Sequence, residues 1–547
     1  MGERLSQIET GGRCQPIQIS RTKQSTMSEA NISTDPGGGA ERVPLASVSE
    51  ASAPDASVPA PQEAAATVSH SLLTRIFSFP AMLGALLVGA VFFVLRNFVV
   101  DPDLWWHIKT GQSILSTHHW PTTDPYSFTV TGQPWIAYEW LGDVLLALAN
   151  RFGGVRGLDA LLILLGSAII ISLYAYASLR SGNSKAGFVC AATLLLLASP
   201  SFTLRPQMMG YFFLILTLIA LERFRRGKTR AMWFLPAVFA VWVNTHGSFI
   251  IGLGALLVYW VAGLTNFHCS GIETHRWTSS ERIRLALVFL LCLVVLPLTP
   301  YGSQAAAYPF DMALAQPVNV ASILEWQPMP FNLPGGKIFL GLLLLTFFLQ
   351  ATLRLTWRLE ELALFLFGVM MACLHVRFLL LFVPFFAPVF AVILARWLPP
   401  YQPAKDRLVL NAVLMVIVLA GMLRYFPAEA DLQKIVAKQF PVQAVEYLRQ
   451  HSVPGPMLNT YGFGGYLVYS GQAVFIDGRA DVYERGGVLS DYMHITLLKP
   501  GALAVLSGYG VRSCILARGE PLTVVLSASP DWTRLYRDDV SEVFVRR

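Results

Sequence analysis

Residues 138–152, YEWLGDVLLALANRF, decide the topology of this chain. The stretch is apolar enough to resemble a membrane segment. It is shorter than the ~20 residues a helix needs to cross, and it carries Glu139 and Asp143. One apolar run of spanning length precedes it, near 77–100. Ten follow, near 157–179, 186–202, 207–224, 231–245, 248–266, 283–299, 337–356, 360–375, 378–396 and 408–426. If 138–152 does not cross and the N-terminus is cytoplasmic, the cytoplasmic breaks hold fifteen Lys and Arg and the outer breaks six. If it crosses, every later loop changes side and the basic loops face outward. Lys and Arg gather in cytoplasmic loops. The sequence therefore predicts about 11 spans, with 138–152 along or partly within the outer leaflet and the C-terminus outside.

Composition agrees with that class. The 547 residues are 54% hydrophobic and 14% charged, against roughly 25% charged in soluble domains, and mean hydropathy is +0.51. A soluble enzyme, a fibrous protein and a fully disordered chain are excluded. A polytopic α-helical protein of the plasma (inner) membrane is expected. The net charge of +7 follows from the basic loops. No basic soluble module is visible, so no nucleic-acid partner is expected. The six cysteines form no CxxC pair and indicate neither a zinc site nor a disulfide framework.

Three regions follow from this reading. Residues 1–70, rich in Ser, Ala, Pro and Gly, are predicted to be a disordered cytoplasmic tail, within which Met27 is an alternative start. The transmembrane domain spans 76–426 and includes a first external loop, 101–156. Residues 432–547 change character, with an amphipathic stretch followed by short apolar runs at 473–476, 511–516 and 540–545. They read as a small extracytoplasmic α/β domain. GFGGY at 462–466 lacks the spacing of a dinucleotide fingerprint and reads as a turn.

With this topology the unusual polar residues gather at one membrane face. The first external loop opens DPDLWWHIK, with Asp101 and Asp103 at the mouth of the first span and His107 one helical turn after Asp103. Trp105, Ile108 and Leu115 suit an interfacial helix dipping into the lipid boundary. The plain structural alternative is a span stop with Asp103 as helix N-cap and the tryptophans as anchors. Asp124-Pro125 reads as a turn. Glu139 is costly near lipid without a partner. The remaining outer breaks supply Arg205 in LRPQ, Asn244 and His246 in VNTHGSF, Tyr301 in PYGS, Glu325 and Trp326 in LEWQP, and His375 and Arg377 in HVR. Acids and bases collected there suit a charged or phosphorylated ligand.

The loop DPDLWWH just after the first span resembles the GT-C superfamily of membrane glycosyltransferases, which includes protein mannosyltransferases, aminoarabinose transferases and oligosaccharyltransferases. LRPQMMGY, WVNTHGSF, TPYG, LEWQP and VFIDGRADVY also look like strings of bacterial proteins grouped with them. The likeness runs from about 79 to 485. It implies a catalytic carboxylate at the start of the first external loop and a polyprenyl-phosphate sugar as lipid-linked donor at the outer face. The acceptor stays unidentified. Many of these enzymes carry a second acid in the next external loop, but SPSFTLRPQ at 199–207 has none, so that role would pass to Glu139 or Asp124.

The chemistry such a donor requires is a base for the acceptor hydroxyl and cations for the departing phosphate. Asp101 or Asp103 suits the base, with Glu139 as the further catalytic acid. Arg205, His246 and Arg377 suit the phosphate, the arginines best because they grip phosphate in a fork. His107, Tyr301 and Glu325 complete the candidate substrate contacts. A divalent metal at Asp103 and His107 is an option, although two ligands are too few to define a metal site; no other cofactor is indicated. The alternatives are a non-catalytic membrane scaffold whose α/β domain binds a partner, and a transporter or flippase of a lipid-linked or anionic solute. Asp477 and Arg479 are expected to pair with each other.

Overall fold

The computed structural model describes residues 72–547, apart from 267 and 270. The tail expected over 1–70, with Met27, lies outside the described residues. Helices occupy the apolar runs: Phe79–Leu95, Trp140–Ser181, Ser184–Ala198, Gln207–Arg225, Leu235–Trp242, Phe249–Ala262, Ser279–Val294, Pro334–Thr352, Leu359–Leu374, Leu379–Leu394 and Leu408–Arg424. Among the described residues, five helical stretches are long and apolar enough to cross a membrane. A sixth arises if Leu408–Arg424 is joined to Glu429–Gln439 across a 62° bend. The chain is a multi-pass helical membrane protein. By this measure the count of eleven is not reached, because turns trim several apolar runs below spanning length. The run 231–245, for example, keeps only the helix Leu235–Trp242.

The helix ends are closed locally. Ser78 caps Phe79–Leu95 by accepting the Ala81 N–H, and the Asp406 carboxylate accepts the Phe79 N–H from far along the chain. Gly182, in the left-handed conformation, ends Trp140–Ser181, and the Asn183 side chain caps the helix that follows. The stretch 138–152 becomes the first arm of Trp140–Ser181. Gly154 breaks that helix with φ 57° and ψ −147°, a conformation open mainly to glycine. The second arm starts with the N–H groups of Val155 and Arg156 donating to the Glu429 carboxylate at 3.2 and 2.7 Å. An anion suits that end of a helix.

One end of the bundle is locked by ions. Glu222 pairs with Arg226 and Arg358, both at 2.8 Å, Glu361 with Arg180 and Arg358, and Glu360 with Arg225. The three carboxylates are buried and tie the ends of Trp140–Ser181 and Gln207–Arg225 to the start of Leu359–Leu374.

The C-terminal region is α/β. Its sheet runs in the order Met457–Asn459, Ser513–Ala517, Ser541–Arg546, Trp532–Arg537, with the first pair parallel and the others antiparallel. Leu458, Cys514 and Phe544 stand side by side in register and are buried. The apolar run 473–476 is not a sheet strand. Only Val474 forms a bridge, to Ser127. The Asn459 side chain accepts from the Phe475 N–H and donates to the Ile476 carbonyl, taking the place of a neighbouring strand.

The expected interfacial helix is also corrected. Leu104–Thr117 forms, but Trp105 and Ile108 are 2% and 0% exposed and face protein, not lipid. Trp105 packs edge-on against Phe440 and Tyr466. Leu115 is half-buried. The α/β region supplies the apolar cover that lipid was expected to provide.

Candidate active site

The chain turns at the end of the first membrane helix through Asp101 and Asp103. Asp101 Oδ1 accepts the Asp103 N–H at 2.8 Å, which sets the start of Leu104–Thr117. Asp103 stands at the N-cap position but makes no side-chain cap bond, so its carboxylate is left to face the cavity. It meets Arg205, which follows the helix Ser184–Ala198. Arg205 donates Nε to Asp101 Oδ2 at 2.6 Å, lies 3.1 Å from Asp103 Oδ2, and reaches Glu325 Oε1 at 3.0 Å. One guanidinium therefore gathers three carboxylates from two distant segments. Burial pushes the Asp103 carboxyl up to about 6, with Arg205 opposing and Asp101 adding to the rise. Burial also acts on Glu325, but Arg205 and Arg377 outweigh it and hold this group below the usual range.

A second chain of polar groups lies beside the first. His107 Nδ1 is 2.6 Å from Asp143 Oδ1, and its Nε2 is 3.7 Å from Glu139 Oε2. Glu139 Oε1 is 3.4 Å from His246 Nε2. His246 Nδ1 accepts the Ser248 N–H at 3.0 Å, so a neutral imidazole there carries its proton on Nε2, toward Glu139. Burial keeps both histidines neutral, His246 with a value lowered to about 3 and His107 lowered well below 6.5. Burial raises Glu139 to about 8, against the pull of Arg377 and Arg205.

Asp103, His107, Glu139, Arg205, His246, Glu325 and Arg377 all line one cavity of about 550 Å³. Asp101 stands behind it, 4% exposed, holding Arg205. Tyr301 is elsewhere. Its hydroxyl accepts the Ala137 N–H and donates to the Pro121 carbonyl, packing the loop without lining the cavity. Arg377 differs from the other cavity arginines. It stacks over Trp326 at 4.2 Å and reaches only the Gln207 amide, at 3.5 Å. Among the described residues it has no carboxylate within ion-pair distance, whereas Arg205 has three.

Asp124 combines two roles. Its carboxylate accepts from the Ser127 N–H and hydroxyl, as the expected turn requires, and also meets Arg479 Nη1 at 2.6 Å. Arg479 forks onto Asp477, the expected pairing, and lies over the Trp135 ring. This buried knot joins the loop 101–139 to the C-terminal region.

The residues do not fit a divalent metal at Asp103 and His107. Asp103 is matched by Arg205, and His107 Nδ1 by Asp143. No group of three or more metal-ligating side chains occurs among the described residues.

Sequence reasoning missed Asp143, and it missed the wall supplied by the C-terminal region through Tyr461, Gly478, Asp481 and Tyr492. An acid within an apolar run was a usable signal for Asp143. Nothing local marked the others.

No protein-family model matches the chain, and no curated protein sequence matches it. Among solved structures it is similar to the Archaeoglobus fulgidus oligosaccharyltransferase tethered with an acceptor peptide. The identity is 13%, covering 79% of this chain and 68% of that one, with a TM-score of 0.48. It is also similar to the same organism's AglB in complex with an inhibitory peptide and a dolichol-phosphate, with 11% identity, 80% and 69% coverage and a TM-score of 0.47. A third is ArnT from Cupriavidus metallidurans bound to undecaprenyl phosphate, with 15% identity, 84% and 96% coverage and a TM-score of 0.43.

Proposed function

We propose that the chain is a membrane glycosyltransferase that moves a sugar from a polyprenyl-phosphate donor to an acceptor at the outer face of the membrane. The accompanying topology has about eleven spans, a cytoplasmic N-terminus and an extracytoplasmic α/β domain. The observation that carries the reading is Arg377, an arginine left without a carboxylate in the same cavity as an acid able to act as a base. An unmatched guanidinium in a partly buried site calls for an anion, and a phosphate suits its fork. Asp103 is the base for the acceptor hydroxyl, since its value near 6 leaves it ionised at neutral pH and still able to take a proton. Arg205 orients Asp103 and is already saturated by acids, so the donor phosphate falls to Arg377.

The lipid tail has a matching edge. Leu324 lines the cavity and is 83% exposed. A prenyl chain lying past it would bury apolar surface while its phosphate reached Arg377.

The direct test is binding of undecaprenyl phosphate to the protein in nanodiscs. Arg377→Ala should weaken binding at least tenfold without changing the melting temperature. Equal binding by the variant would remove Arg377 from the site. No binding by the wild-type protein would remove the polyprenyl-phosphate reading.

A further inference from the structure

Glu139 has a place in the cavity that the base and the phosphate-binding arginine leave unexplained. It stands between two histidines that burial keeps neutral, and its partners fix directions. Ser248 turns the His246 proton toward Glu139 Oε1. On the other side, His107 bridges Glu139 to Asp143, with separations of 3.7 and 2.6 Å. Asp143 Oδ2 is buried with no hydrogen-bond partner. A fully ionised pair of carboxylates around one neutral imidazole would place two negative charges in a buried site with no cation on Asp143, which is costly. One proton held by the pair leaves a single charge there and lowers the cost. The imidazole adapts to either location by changing tautomer, because each ring nitrogen faces one of the two carboxyls.

The cationic groups that act on Glu139 from other segments are Arg377, on the turn after Leu359–Leu374, and Arg205, on the turn before Gln207–Arg225. Asp103 opposes them. Arg377 is also the anchor assigned to the donor phosphate, so Glu139 shares the cavity, and the field of Arg377, with the place where the leaving oxygen gains charge.

Resting on the glycosyltransferase reading, we infer that Glu139 is the general acid for the departing lipid phosphate, held protonated by His107 and Asp143. As the sugar–oxygen bond to phosphate breaks and the acceptor oxygen bonds to the sugar, the acceptor proton moves to Asp103 and the Glu139 proton moves to the phosphate oxygen. The pair Glu139–Asp143 is then doubly ionised around a neutral imidazole. It regains a proton from Asp103, so the net transfer is one proton from acceptor to phosphate. Asp143 and His107 are positioning residues in this scheme. The departing phosphate is thereby released as a monoanion.

Two measurements on the full-length protein in nanodiscs decide it. Infrared titration without any ligand should show a protonated carboxyl band at neutral pH. Glu139→Gln should change the intensity and midpoint of that band and Asp143→Asn should shift its midpoint. Absence of the band at pH 7, or a band unchanged in intensity and midpoint by Glu139→Gln, overturns the inference whether or not a donor is found. With a polyprenyl-phosphate sugar that the wild type uses, Glu139→Gln should lower kcat by roughly 10²–10⁴ and remove the alkaline limb of the pH profile. His107→Asn should displace that limb without abolishing turnover. Full activity in Glu139→Gln overturns the acid role even if the band is present. Failure to find any donor, with the band behaving as stated, counts against the transferase reading and leaves the protonated Glu139 standing.

Discussion

Gly478 and Asp103 touch. A Cβ placed on Gly478 would lie 1.6 Å from Asp103 Oδ1, so only a residue without a side chain allows this turn of the C-terminal region to rest on the carboxylate. The turn is held from below as well, by the fork of Arg479 on Asp477 and its contact with Asp124. The acid assigned as base is therefore covered by the α/β region.

Gly478→Ala should displace either the turn or Asp103. The expected outcome is a loss of activity with a loss of stability of about 1–3 kcal/mol, as for overpacking elsewhere. Gly508→Ala is the control, since a Cβ there meets nothing within 4 Å. Thermal unfolding and transfer assays on both variants check it.

Asp103→Asn should abolish transfer, with a loss of roughly 10²–10⁴ in rate, while leaving expression intact. Asp101→Asn should have a smaller kinetic effect, because Asp101 is behind the cavity and acts through Arg205. Equal loss in both variants would mean that orienting Arg205, not accepting a proton, is what the acids do.

Arg205→Ala and Arg377→Ala should separate stability from binding. Removing Arg205 leaves Asp101, Asp103 and Glu325 facing each other without a cation, and because Asp101 is buried the fold should lose stability. Arg377→Ala breaks no ion pair and should show only in phosphate binding. Calorimetry and a binding assay on the two variants would distinguish them.

Stability should fall as pH rises, through Glu139. Its value near 8 in the fold exceeds the ordinary 4.5, so the folded state binds the proton more tightly than the unfolded chain. The stabilisation is complete below about 4.5 and is lost progressively up to about 8. Glu139→Gln should flatten this slope and raise the melting temperature relative to wild type at pH 9 more than at pH 5. A parallel pair of curves would show that another group sets the slope.

Membrane orientation can be tested at exposed positions on the two sides. Cysteine at Gly227 should be labelled only from the cytoplasm, and cysteine at Asp539 only from outside. Ala480 is buried and unsuitable. Labelling of 227 from outside would reverse the orientation and place the cavity on the cytoplasmic side.

The helical segments were legible because each apolar run is nearly continuous, and period and composition need no distant partner. Their lengths were not, since capping by Asp406 or a break such as Gly154 depends on where other segments come to rest. For the cavity, topology alone was enough to collect Arg205, His246, Glu325 and Arg377 on one side, because turn residues at one face have few places to go. Tyr301 shared that face but is turned into the packing beneath the loop. Trp105 reads as a lipid anchor in isolation and becomes core only because Phe440 and Tyr466 fold over it. Such long-range cover leaves no trace in a local pattern.

The ionic lock at the other end of the bundle bears on how this protein could be re-engineered. Arg180, Arg225, Arg226 and Arg358 are four of the fifteen basic residues that set the loop-charge bias, yet each is clasped by Glu222, Glu360 or Glu361. Their charge reaches the lipid headgroups diminished, and their removal would strand buried acids between helix ends. Insertion direction and bundle cohesion thus share the same side chains, and a design that neutralised these arginines to invert the chain would loosen it at the same stroke.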